Sequence, residues 1–544
     1  MSRIYHGSSY YVEVEIKELS HFTLNRSFSM KSFDYIIVGG GNAGAVIASR
    51  LSENPDLAVL LIEAGPHYRS VEQTPSDLTD SRAVSVVAHD WNYITDVIPG
   101  REFPYARGKV TGGCSAVNGV IALRGLEQDF REWFQLGNKG WDWENILPIY
   151  NRIENDKDYG YKNYHGNNGP LPIVRFGSDQ YTKVVAEFKA TAMGQGYQWV
   201  PDHNHPAGLD GVGPIPMNRG ADNILRVSSS IAYLLDAQDR PNLTIMDHTI
   251  ANKIVFNGKT AKGVEISRKN SNLDVVYGGE VIVCCGAINS PALLLRSGVG
   301  PHDELTRLGI DSVSELQGVG GNLIDHSLAV VASYPKDNII HEDDADVQMV
   351  IHYTAPGSAH VNDMQIYCLG KLGSERFPGA DPNAGYMFGA GIVINRPDSR
   401  GRVLLDSPDP NVQPRIDHRL NSDGEDMRKM VDGVRRGYQL LTSGSLKEIS
   451  KGIAVLDDKI IENTRAVERY VTERSATIWH ASGTCKMGPS TDNHAVVDSN
   501  LKVHECQNLR VADTSIFPDH VSRNPMLTCY VVAEKVVDII ISGN

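Results

Sequence analysis

A glycine-rich turn near the N-terminus, within FDYIIVGGGNAGAVIASRLS, constrains the fold of this chain more than any other segment. The apolar run Tyr35–Val38 is typical of a buried parallel strand, and the small residues after the glycines are typical of a helix packed closely on it. Gly39, Gly41 and Gly44 satisfy the pattern GxGxxG, which permits a tight turn, a close backbone approach to a pyrophosphate and tight helix packing. Glu63 ends the next apolar run, where a carboxylate can bind ribose hydroxyls. These features predict a βαβ dinucleotide-binding unit but do not distinguish FAD from NAD.

Length and composition limit the remaining possibilities. At 544 residues the chain has room for two or three domains, since a domain averages about 150 residues. A content of 41% hydrophobic and 22% charged residues is typical of a globular protein. The net charge of -14, with no basic stripe, argues against a nucleic-acid partner. The seven cysteines are scattered, so we expect reduced, mostly buried thiols and no bound metal.

The N-terminal segment and the hydropathy pattern indicate where in the cell the protein is expected. Residues 1–32 form an extension that carries charges throughout and lacks the apolar core of a signal peptide. No stretch approaches the run of about 18 apolar residues that a membrane-spanning helix needs. We therefore expect no transmembrane segment and a cytoplasmic protein.

Four further segments carry motifs. They are ARGKVTGGCSAVNGVIALRG at residues 106–125, GAINSPALLLRSGVGP at 286–301, GVGGNLIDH at 318–326 and HASGTCKMG at 480–488. Together with the glycine turn, these segments closely resemble the glucose/methanol/choline (GMC) family of FAD-dependent oxidoreductases. The resemblance extends from about Phe33 to the C-terminus.

This resemblance implies a division of the chain into two domains. One is an α/β FAD-binding domain with a Rossmann-like βαβ unit, expected from residues 33–163, 225–325 and 472–544. The other is an α+β substrate domain built on an antiparallel sheet, expected from residues 164–224 and 326–471. In addition, residues 391–405, GIVINRPDSRGRVLL, predict a β-hairpin around a Pro-Asp-Ser-Arg-Gly turn.

The family motifs also imply which residues bind FAD. The glycines of the turn are expected at the pyrophosphate, Glu63 at the adenosine ribose and the backbone of Ile250 at the adenine. The segment after Ala106 is expected along the flavin, and Asp513 near the diphosphate and ribityl chain. The complete set is Gly39, Gly41, Asn42, Ala43, Gly44, Glu63, Ala64, Arg107, Val110, Gly112, Gly113, Cys114, Asn118, Ile121, Ile250, Asp513, Pro525, Met526 and Leu527.

The mode of FAD attachment follows from one position. Some relatives attach the flavin covalently through a histidine that immediately precedes the asparagine matching Asn118. This chain has Val117 there, and an aliphatic side chain cannot form that bond. The resemblance therefore implies FAD that is bound non-covalently.

Two catalytic residues are implied, His480 and Asn524. Removing a hydride from an alcohol carbon requires the hydroxyl proton to leave, and a neutral imidazole near flavin N5 is a suitable base. Within HASGTCKMG, His480 is the expected base. Many relatives have a second histidine where this chain has Asn524, so the chain resembles the His/Asn subset, which is choline dehydrogenase-like. The expected reaction is oxidation of a primary or secondary alcohol to a carbonyl, with hydride transfer to flavin N5.

The sequence around Asn524 also predicts a helix. Asparagine is a favoured N-cap, proline is favoured at the next position, and MLTCYVVAEKVVDIII continues as an apolar helix of about four turns. Asn524 is thus predicted to cap this helix while its side chain reaches the substrate oxygen. The positive end of the helix dipole is expected to face the flavin. His326, by contrast, is expected to order the domain junction.

Other functions on this scaffold remain open. Hydroxynitrile lyases and fatty-acid photodecarboxylases of the family perform no net alcohol oxidation. A mandelonitrile-type lyase generally has a histidine in place of Asn524, and a photodecarboxylase usually has a cysteine in place of Asn395. A non-enzymatic FAD-binding protein is a further alternative. The expected partners are a small alcohol and either O2 or another electron acceptor, and the motifs indicate neither a cage for choline nor an oligomeric state.

Overall fold

The computed structural model describes residues 32–543 apart from residues 83, 86, 87, 221–223, 269–272 and 378. Except for Ser32, the predicted N-terminal extension lies outside the described residues. Among the residues that are described, no helix is both long and apolar enough to cross a membrane.

The strands are numbered in chain order. They are β1 (Phe33–Val38), β2 (Val59–Ile62), β3 (Tyr93–Ile98), β4 (Arg101–Tyr105), β5 (Glu154–Asp156), β6 (Leu171–Val174), β7 (Gly211–Pro214), β8 (Met217–Asn218), β9 (Leu243–Met246), β10 (Thr249–Asn257), β11 (Thr260–Arg268), β12 (Asp274–Val283), β13 (Val299–Gly300), β14 (Ser314–Glu315), β15 (Ser327–Pro335), β16 (Val347–Tyr353), β17 (Met364–Gly373), β18 (Tyr386–Ile394), β19 (Arg402–Leu404), β20 (Arg415–Asp417), β21 (Ser450–Ile453), β22 (Ala476–Thr477) and β23 (Leu509–Val511).

The α-helices are numbered in the same way. They are α1 (Asn42–Leu51), α2 (Ser76–Thr79), α3 (Glu127–Gln135), α4 (Trp143–Ile153), α5 (Lys183–Gly194), α6 (Leu235–Ala237), α7 (Gly286–Arg296), α8 (His302–Leu308), α9 (Gly424–Leu441), α10 (Gly444–Glu448), α11 (Asp458–Glu462), α12 (Thr464–Arg474) and α13 (Met526–Ile541).

The first sheet carries the glycine turn. Strand β1 pairs in parallel with β12 on one side and β2 on the other, and β9 and β23 extend the parallel part. Strands β10 and β11 continue it beyond β12 in antiparallel pairs. Ile36, Ile37, Leu60 and Leu61 are completely buried, as expected for parallel strands covered on both faces. The turn therefore lies at the carboxyl end of a central strand, where ligands bind in open parallel sheets.

Helix α1 begins immediately after the turn and lies against β1. A Cβ atom added at Gly44 would lie 1.8 Å from the carbonyl oxygen of Gly39. The close packing of helix on strand therefore requires glycine at this position unless the backbone shifts.

The second large sheet has the order β21-β15-β18-β17-β16-β7, and β22 pairs with β15. All of its pairs are antiparallel. Because successive side chains point to opposite faces, Ile366 and Ile392 pack with α9, whereas Tyr367 and Val393 belong to a separate cluster on the other face. That second face contributes to the cavity described below.

The predicted hairpin at residues 391–405 is wrong. Strand β18 pairs with β15 and β17, whereas β19 pairs with β20 in a different sheet. Between the two strands, Asp426 accepts hydrogen bonds from the backbone N–H groups of Asp398 and Ser399. Local turn chemistry predicts a reversal, but the partners of each strand depend on packing elsewhere.

A smaller sheet joins distant parts of the chain. Its order is β19-β20-β3-β4. Val403 and Ile416 from its first two strands share a buried cluster with Tyr93, Tyr105 and Ile288. Segments some three hundred residues apart in sequence are thereby held together beside the cavity.

Candidate active site

A cavity of about 800 Å³ lies where the two large sheets approach each other. Its wall includes Val38 and Ile62 at the carboxyl ends of β1 and β2, together with Leu328, Tyr367 and Leu369 of the antiparallel sheet. Ligand sites in proteins commonly measure about 300–1,000 Å³, so this volume suits a large organic ligand.

Most of the predicted FAD-binding residues line this cavity. Gly44, Val110, Gly112 and Leu527 do not contribute to its wall. Those that do are Gly39, Gly41, Asn42, Ala43, Glu63, Ala64, Arg107, Gly113, Cys114, Asn118, Ile121, Ile250, Asp513, Pro525 and Met526.

The glycine turn leaves space on the cavity side. Gly39 has a φ angle of 100°, which favours glycine, whereas Gly41 has an ordinary φ of -72°. A Cβ atom at Gly41 would meet only the Cα of Gly113, at 3.9 Å. Packing within the protein therefore does not require glycine at this position, and the space into which a Cβ would project is open.

Glu63 is buried beside this turn. Its Oε2 accepts a hydrogen bond from the Gly40 N–H at 2.8 Å, and its Oε1 accepts one from the Gly65 N–H at 2.7 Å. Burial raises the pKa of its carboxyl, while these backbone donors act to lower it. Each oxygen keeps a second lone pair that can accept from a ligand hydroxyl.

The segment after Ala106 is fastened to the turn and to the catalytic loop. The Asn42 side-chain oxygen accepts from the Ser115 N–H at 3.0 Å, which ties the segment to α1. The Arg107 guanidinium donates to the carbonyl oxygen of Trp479 at 2.7 Å and contacts the Cys114 sulfur at 3.6 Å. The segment is thus held between the predicted nucleotide end and the predicted base.

Asp513 lies at the start of a short turn after β23. Its Oδ2 accepts from the Gly286 N–H at 2.8 Å and the Ser290 hydroxyl at 2.6 Å, and its Oδ1 accepts from the Ser515 N–H at 2.7 Å. The side chain therefore joins the N-terminus of α7 to the cavity wall.

His480 sits on a loop that is fixed by its backbone. Its N–H donates to Asp325 at 2.8 Å, and its carbonyl oxygen lies 2.8 Å from Nε2 of His520. The preceding Trp479 has a φ of 62°, a conformation that costs a non-glycine residue about 1–3 kcal/mol. This geometry directs the imidazole of His480 into the cavity.

The carboxylate that anchors this loop is itself heavily hydrogen-bonded. Asp325 accepts from the Tyr105 hydroxyl at 2.8 Å, the Thr477 hydroxyl at 2.6 Å and Nε2 of His418 at 3.0 Å. Burial opposes its ionisation, but His418, Arg107 and Thr477 together outweigh burial and hold its pKa below the usual range. Asp325 therefore remains charged and holds the His480 backbone in place.

Asn524 does not cap α13, contrary to the sequence prediction. The helix begins at Met526, and Pro525 occupies the N-cap position without a side-chain cap. The Asn524 side chain instead accepts from the Tyr367 hydroxyl at 2.9 Å and lies with its amide nitrogen 3.2 Å from Nε2 of His480. The Asn524 amide is therefore bound to these two side chains and not to the N–H groups at the start of α13.

These contacts define the tautomer of His480. Because the Asn524 oxygen accepts from Tyr367, its NH2 group faces Nε2 of His480 and donates to it. Nε2 is then the unprotonated nitrogen, whose electron pair accepts from Asn524, and Nδ1 carries the proton. Burial lowers the pKa of His480 to about 3, so the ring is neutral at physiological pH.

His326 contacts the other side of the His480 ring, which the sequence analysis did not anticipate. Nδ1 of His326 lies 2.9 Å from Nδ1 of His480, and His326 has no exposed surface. Burial and the neighbouring His520 and His480 hold its pKa well below the usual value. His326 is therefore a neutral acceptor for the Nδ1 proton of His480. Its motif was visible in the sequence, but 154 residues separate the two rings.

A second cluster of acidic and histidine side chains lies elsewhere. Glu154, Asp156 and His165 are buried and close enough together to bind a cation. However, Arg124 contacts Glu154 at 2.6 Å and Arg175 contacts Asp156 at 2.9 Å. The carboxylates therefore form buried ion pairs. All seven cysteines are free thiols, four of them buried, as the sequence predicts.

Comparisons with known proteins agree with this site. At the level of the family, a model described as GMC oxidoreductase matches residues 33–328, and a second with the same description matches residues 397–533. The chain is 33% identical over 541 residues to a 5-(hydroxymethyl)furfural oxidase of Methylovorus sp. (strain MP688), covering 94% of this chain and 99% of that protein. It is also 33% identical over 544 residues to an oxygen-dependent choline dehydrogenase of Ectopseudomonas mendocina (strain ymp), with 93% of each chain covered.

Solved structures show the same relationship at the level of the fold. Pyridoxine 4-oxidase from Mesorbium loti superposes with a TM-score of 0.85 and 28% identity, covering 93% of this chain and 99% of that one. The predicted combination of an FAD-binding domain and a sheet-rich second domain is therefore confirmed at that level. The protein belongs to the GMC oxidoreductase family, as its sequence motifs indicated.

Proposed function

We propose that this protein binds FAD non-covalently and oxidises a primary or secondary alcohol to a carbonyl. The observation that carries this proposal is the neutral His480, whose unprotonated Nε2 faces the cavity beside the amide of Asn524. A positioned base and a neutral hydrogen-bond donor are what removal of a hydroxyl proton requires. The names of the relatives, which oxidise alcohols, support the same reaction class.

The residues of the cavity fit FAD. Gly41 is open toward the cavity, and Glu63 has lone pairs available for ribose hydroxyls. At the other end, Pro525 and Met526 at the start of α13 line the wall, so the positive end of the helix faces the predicted flavin position. When bound there, FAD supplies the oxidant that accepts a hydride from the alcohol carbon.

The domain division belongs to the same proposal. Residues 33–163, 225–325 and 472–544 would form the FAD-binding domain around a Rossmann-like βαβ unit, and the parallel pairs β12-β1-β2-β9 support it. Residues 164–224 and 326–471 would form the substrate domain, which the antiparallel pairs from β7 to β21 support. A cytoplasmic location remains a prediction from the sequence.

The two catalytic side chains have separate roles. A bound substrate displaces the Asn524 NH2 group from Nε2 of His480, so that the substrate O–H donates to Nε2 instead. The O–H bond then breaks and an N–H bond forms as the carbonyl develops. Asn524, held by the Tyr367 hydroxyl, donates from its NH2 group to the substrate oxygen and stabilises the charge that develops there. Because Asn524 cannot take up a proton, His480 is the sole base of this pair.

His326 acts through His480 as a positioning residue. By accepting a hydrogen bond from Nδ1–H of His480, it keeps the ring in the tautomer whose unprotonated Nε2 faces the substrate. Replacing His326 with leucine should lower kcat about 10- to 100-fold, the usual effect of losing such an orienting partner, with little change in KM or bound FAD. The measurements are steady-state kinetics and the flavin spectrum.

The matched control for this variant is His326→Asn. Asparagine keeps an acceptor oxygen near the position of Nδ1, so it should recover most of the lost kcat. Equal losses in the leucine and asparagine variants would mean that His326 contributes only packing.

Non-covalent binding has a direct test. Val117 occupies the position from which some relatives bond the flavin, so acid precipitation should leave a yellow supernatant and a colourless pellet. A yellow pellet that survives washing would contradict non-covalent attachment.

The proposed reaction is tested by anaerobic mixing of the holoenzyme with a panel of alcohols. Bleaching of the flavin absorbance shows redox chemistry, whereas a lyase leaves the flavin oxidised. Admitting air afterwards distinguishes O2 from another acceptor by the rate at which the absorbance returns. An FAD-loaded protein that no alcohol reduces would refute the proposed function.

A further inference from the structure

The wall of the cavity beside the base is apolar. Leu328 on β15, Val347 on β16 and Leu369 on β17 all line the cavity and share one packed cluster with Phe176 and Ile478. Their positions follow from strand pairing, because Val347 pairs with Leu369 and the sheet alternates its faces. A continuous apolar surface therefore borders the cavity on the side of the antiparallel sheet.

Gly391 on the adjacent strand brings two of these side chains together. A Cβ atom at Gly391 would lie 3.4 Å from Cδ1 of Leu328 and 3.4 Å from Cδ1 of Leu369. The two leucines thus cover the glycine from the strands on either side, with β18 between them. The part of the surface above Gly391 is therefore formed by leucine side chains.

This surface directly adjoins the catalytic side chains. Tyr367, two residues before Leu369 on the same face of β17, donates its hydroxyl to Asn524 at 2.9 Å. Ile478 lies two residues before His480, and its N–H bonds to the carbonyl oxygen of His326 at 3.2 Å. A substrate whose hydroxyl meets His480 therefore places the rest of its body against the leucines.

The carboxylate groups of the cavity are held by other contacts or are exposed. Among the described residues, the carboxylates on its wall are Glu63, Asp513, Asp343 and Asp346. The first two accept backbone N–H groups at the predicted nucleotide end. Asp343 is exposed, and Asp346, with 49% of its side chain exposed, pairs with Lys371 at 3.5 Å. None of the four belongs to the apolar cluster.

The two aromatic rings of this cluster are already in contact with other polar groups. The Phe176 ring, which packs with the leucines, already has the guanidinium of Arg219 at 4.1 Å from its centroid. Tyr367 is engaged with Asn524 through its hydroxyl. A quaternary ammonium group on this wall would lose its hydration without a carboxylate or an open aromatic cage in return.

We propose that the substrate is an uncharged alcohol with an apolar body, and that cationic alcohols such as choline are poor substrates. This inference rests on the proposed alcohol oxidation and adds the substrate class. Burying an apolar body against the leucines is favourable by about 25 cal/mol per Å² of buried surface. A fixed charge on the same body would lose its hydration at this wall, and that cost cancels the favourable free energy of burial.

The test compares alcohols that differ in charge alone. Choline and its neutral carbon isostere, 3,3-dimethylbutan-1-ol, have the same shape. Likewise, 4-(hydroxymethyl)benzoate is paired with 4-isopropylbenzyl alcohol, and the para-trimethylammonium derivative of benzyl alcohol with 4-tert-butylbenzyl alcohol. The measured quantity is the second-order rate constant of anaerobic flavin reduction in the holoenzyme. We expect the neutral members to exceed their charged partners by at least 100-fold.

A variant reverses the charge preference. Leu369 is half-buried at the cavity, so Leu369→Glu can place a carboxylate there, and Leu369→Gln is the uncharged control. The glutamate variant should raise the ratio of choline to isostere at least 10-fold over the glutamine variant. If the glutamate variant does not fold, the wild-type pairs decide alone.

Every outcome bears on the inference. A cationic or anionic alcohol that reduces the flavin faster than its neutral partner overturns the substrate class and leaves alcohol oxidation intact. If no alcohol of any class reduces the bound flavin, the proposed function fails and this inference with it.

Discussion

Replacing His480 with alanine should lower turnover with an alcohol by ~100-fold or more, the usual effect of removing a general base. FAD should remain bound, because the imidazole lies at the substrate end of the cavity and the nucleotide end is unchanged. The measurement is anaerobic flavin reduction in single turnover, which isolates the chemical step from reoxidation. Full reduction at the wild-type rate would remove His480 from the mechanism.

The control for this variant is His504→Ala. His504 is half-buried and contacts the carbonyl oxygen of Gly488, outside the cavity, so the same substitution there should leave the rate of flavin reduction unchanged. Asn524→Ala should give a smaller loss than His480→Ala, because it removes a hydrogen bond to the substrate oxygen but leaves the base.

The pKa of His480 adds a pH test of the same assignment. The base is active when neutral, and burial lowers its pKa to about 3, so lowering the pH from 8 to 6 does not protonate it. We therefore expect kcat/KM for a neutral alcohol to stay level across this range. A fall centred near the ordinary histidine value of about 6.5 would show that the base is not held neutral by burial.

Replacing Gly41 with threonine should weaken FAD binding by about 100-fold or more, equivalent to about 2.7 kcal/mol, because the new side chain projects into the cavity where the pyrophosphate is expected. The protein itself should tolerate the change. Gly41 has an ordinary φ of -72°, no protein atom lies closer than 3.9 Å to the added Cβ, and threonine is as good an N-cap for α1 as glycine.

The measurements are the flavin content after purification, the FAD dissociation constant and the thermal unfolding of the apoprotein. Gly194→Thr is the control, since a Cβ there meets nothing within 4 Å and the residue lies on exposed surface away from the cavity. A Gly41→Thr protein that keeps its full complement of FAD would place the pyrophosphate elsewhere.

The sequence was most informative where a feature depends on a few consecutive residues. The glycine turn was predictable because a positive φ at Gly39 and the contact between Gly44 and the strand impose glycine locally. The apolar run after Pro525 likewise predicted α13 almost to its ends. The resemblance of the motifs then indicated the family and a candidate base, His480.

Two local predictions failed for one reason. Asn524 has the sequence context of a helix cap, but Tyr367 and His480 bind its amide. Residues 391–405 have the composition of a hairpin, but each strand pairs in a different sheet. In both cases the local sequence predicts a nearby partner, but in the folded chain the side chain or strand binds residues that are distant in sequence.

The sequence by itself therefore determined the family, the nucleotide-binding turn and the candidate base, since each is specified by residue types at short fixed spacings. Only the tertiary structure decided the contact between His326 and His480, the role of Asn524 and the apolar wall beside them. Those features join β15, β17, the His480 loop and the chain before α13, which lie more than one hundred residues apart in several cases. Packing between such distant segments depends on the whole folded chain and cannot be predicted from any short stretch of sequence.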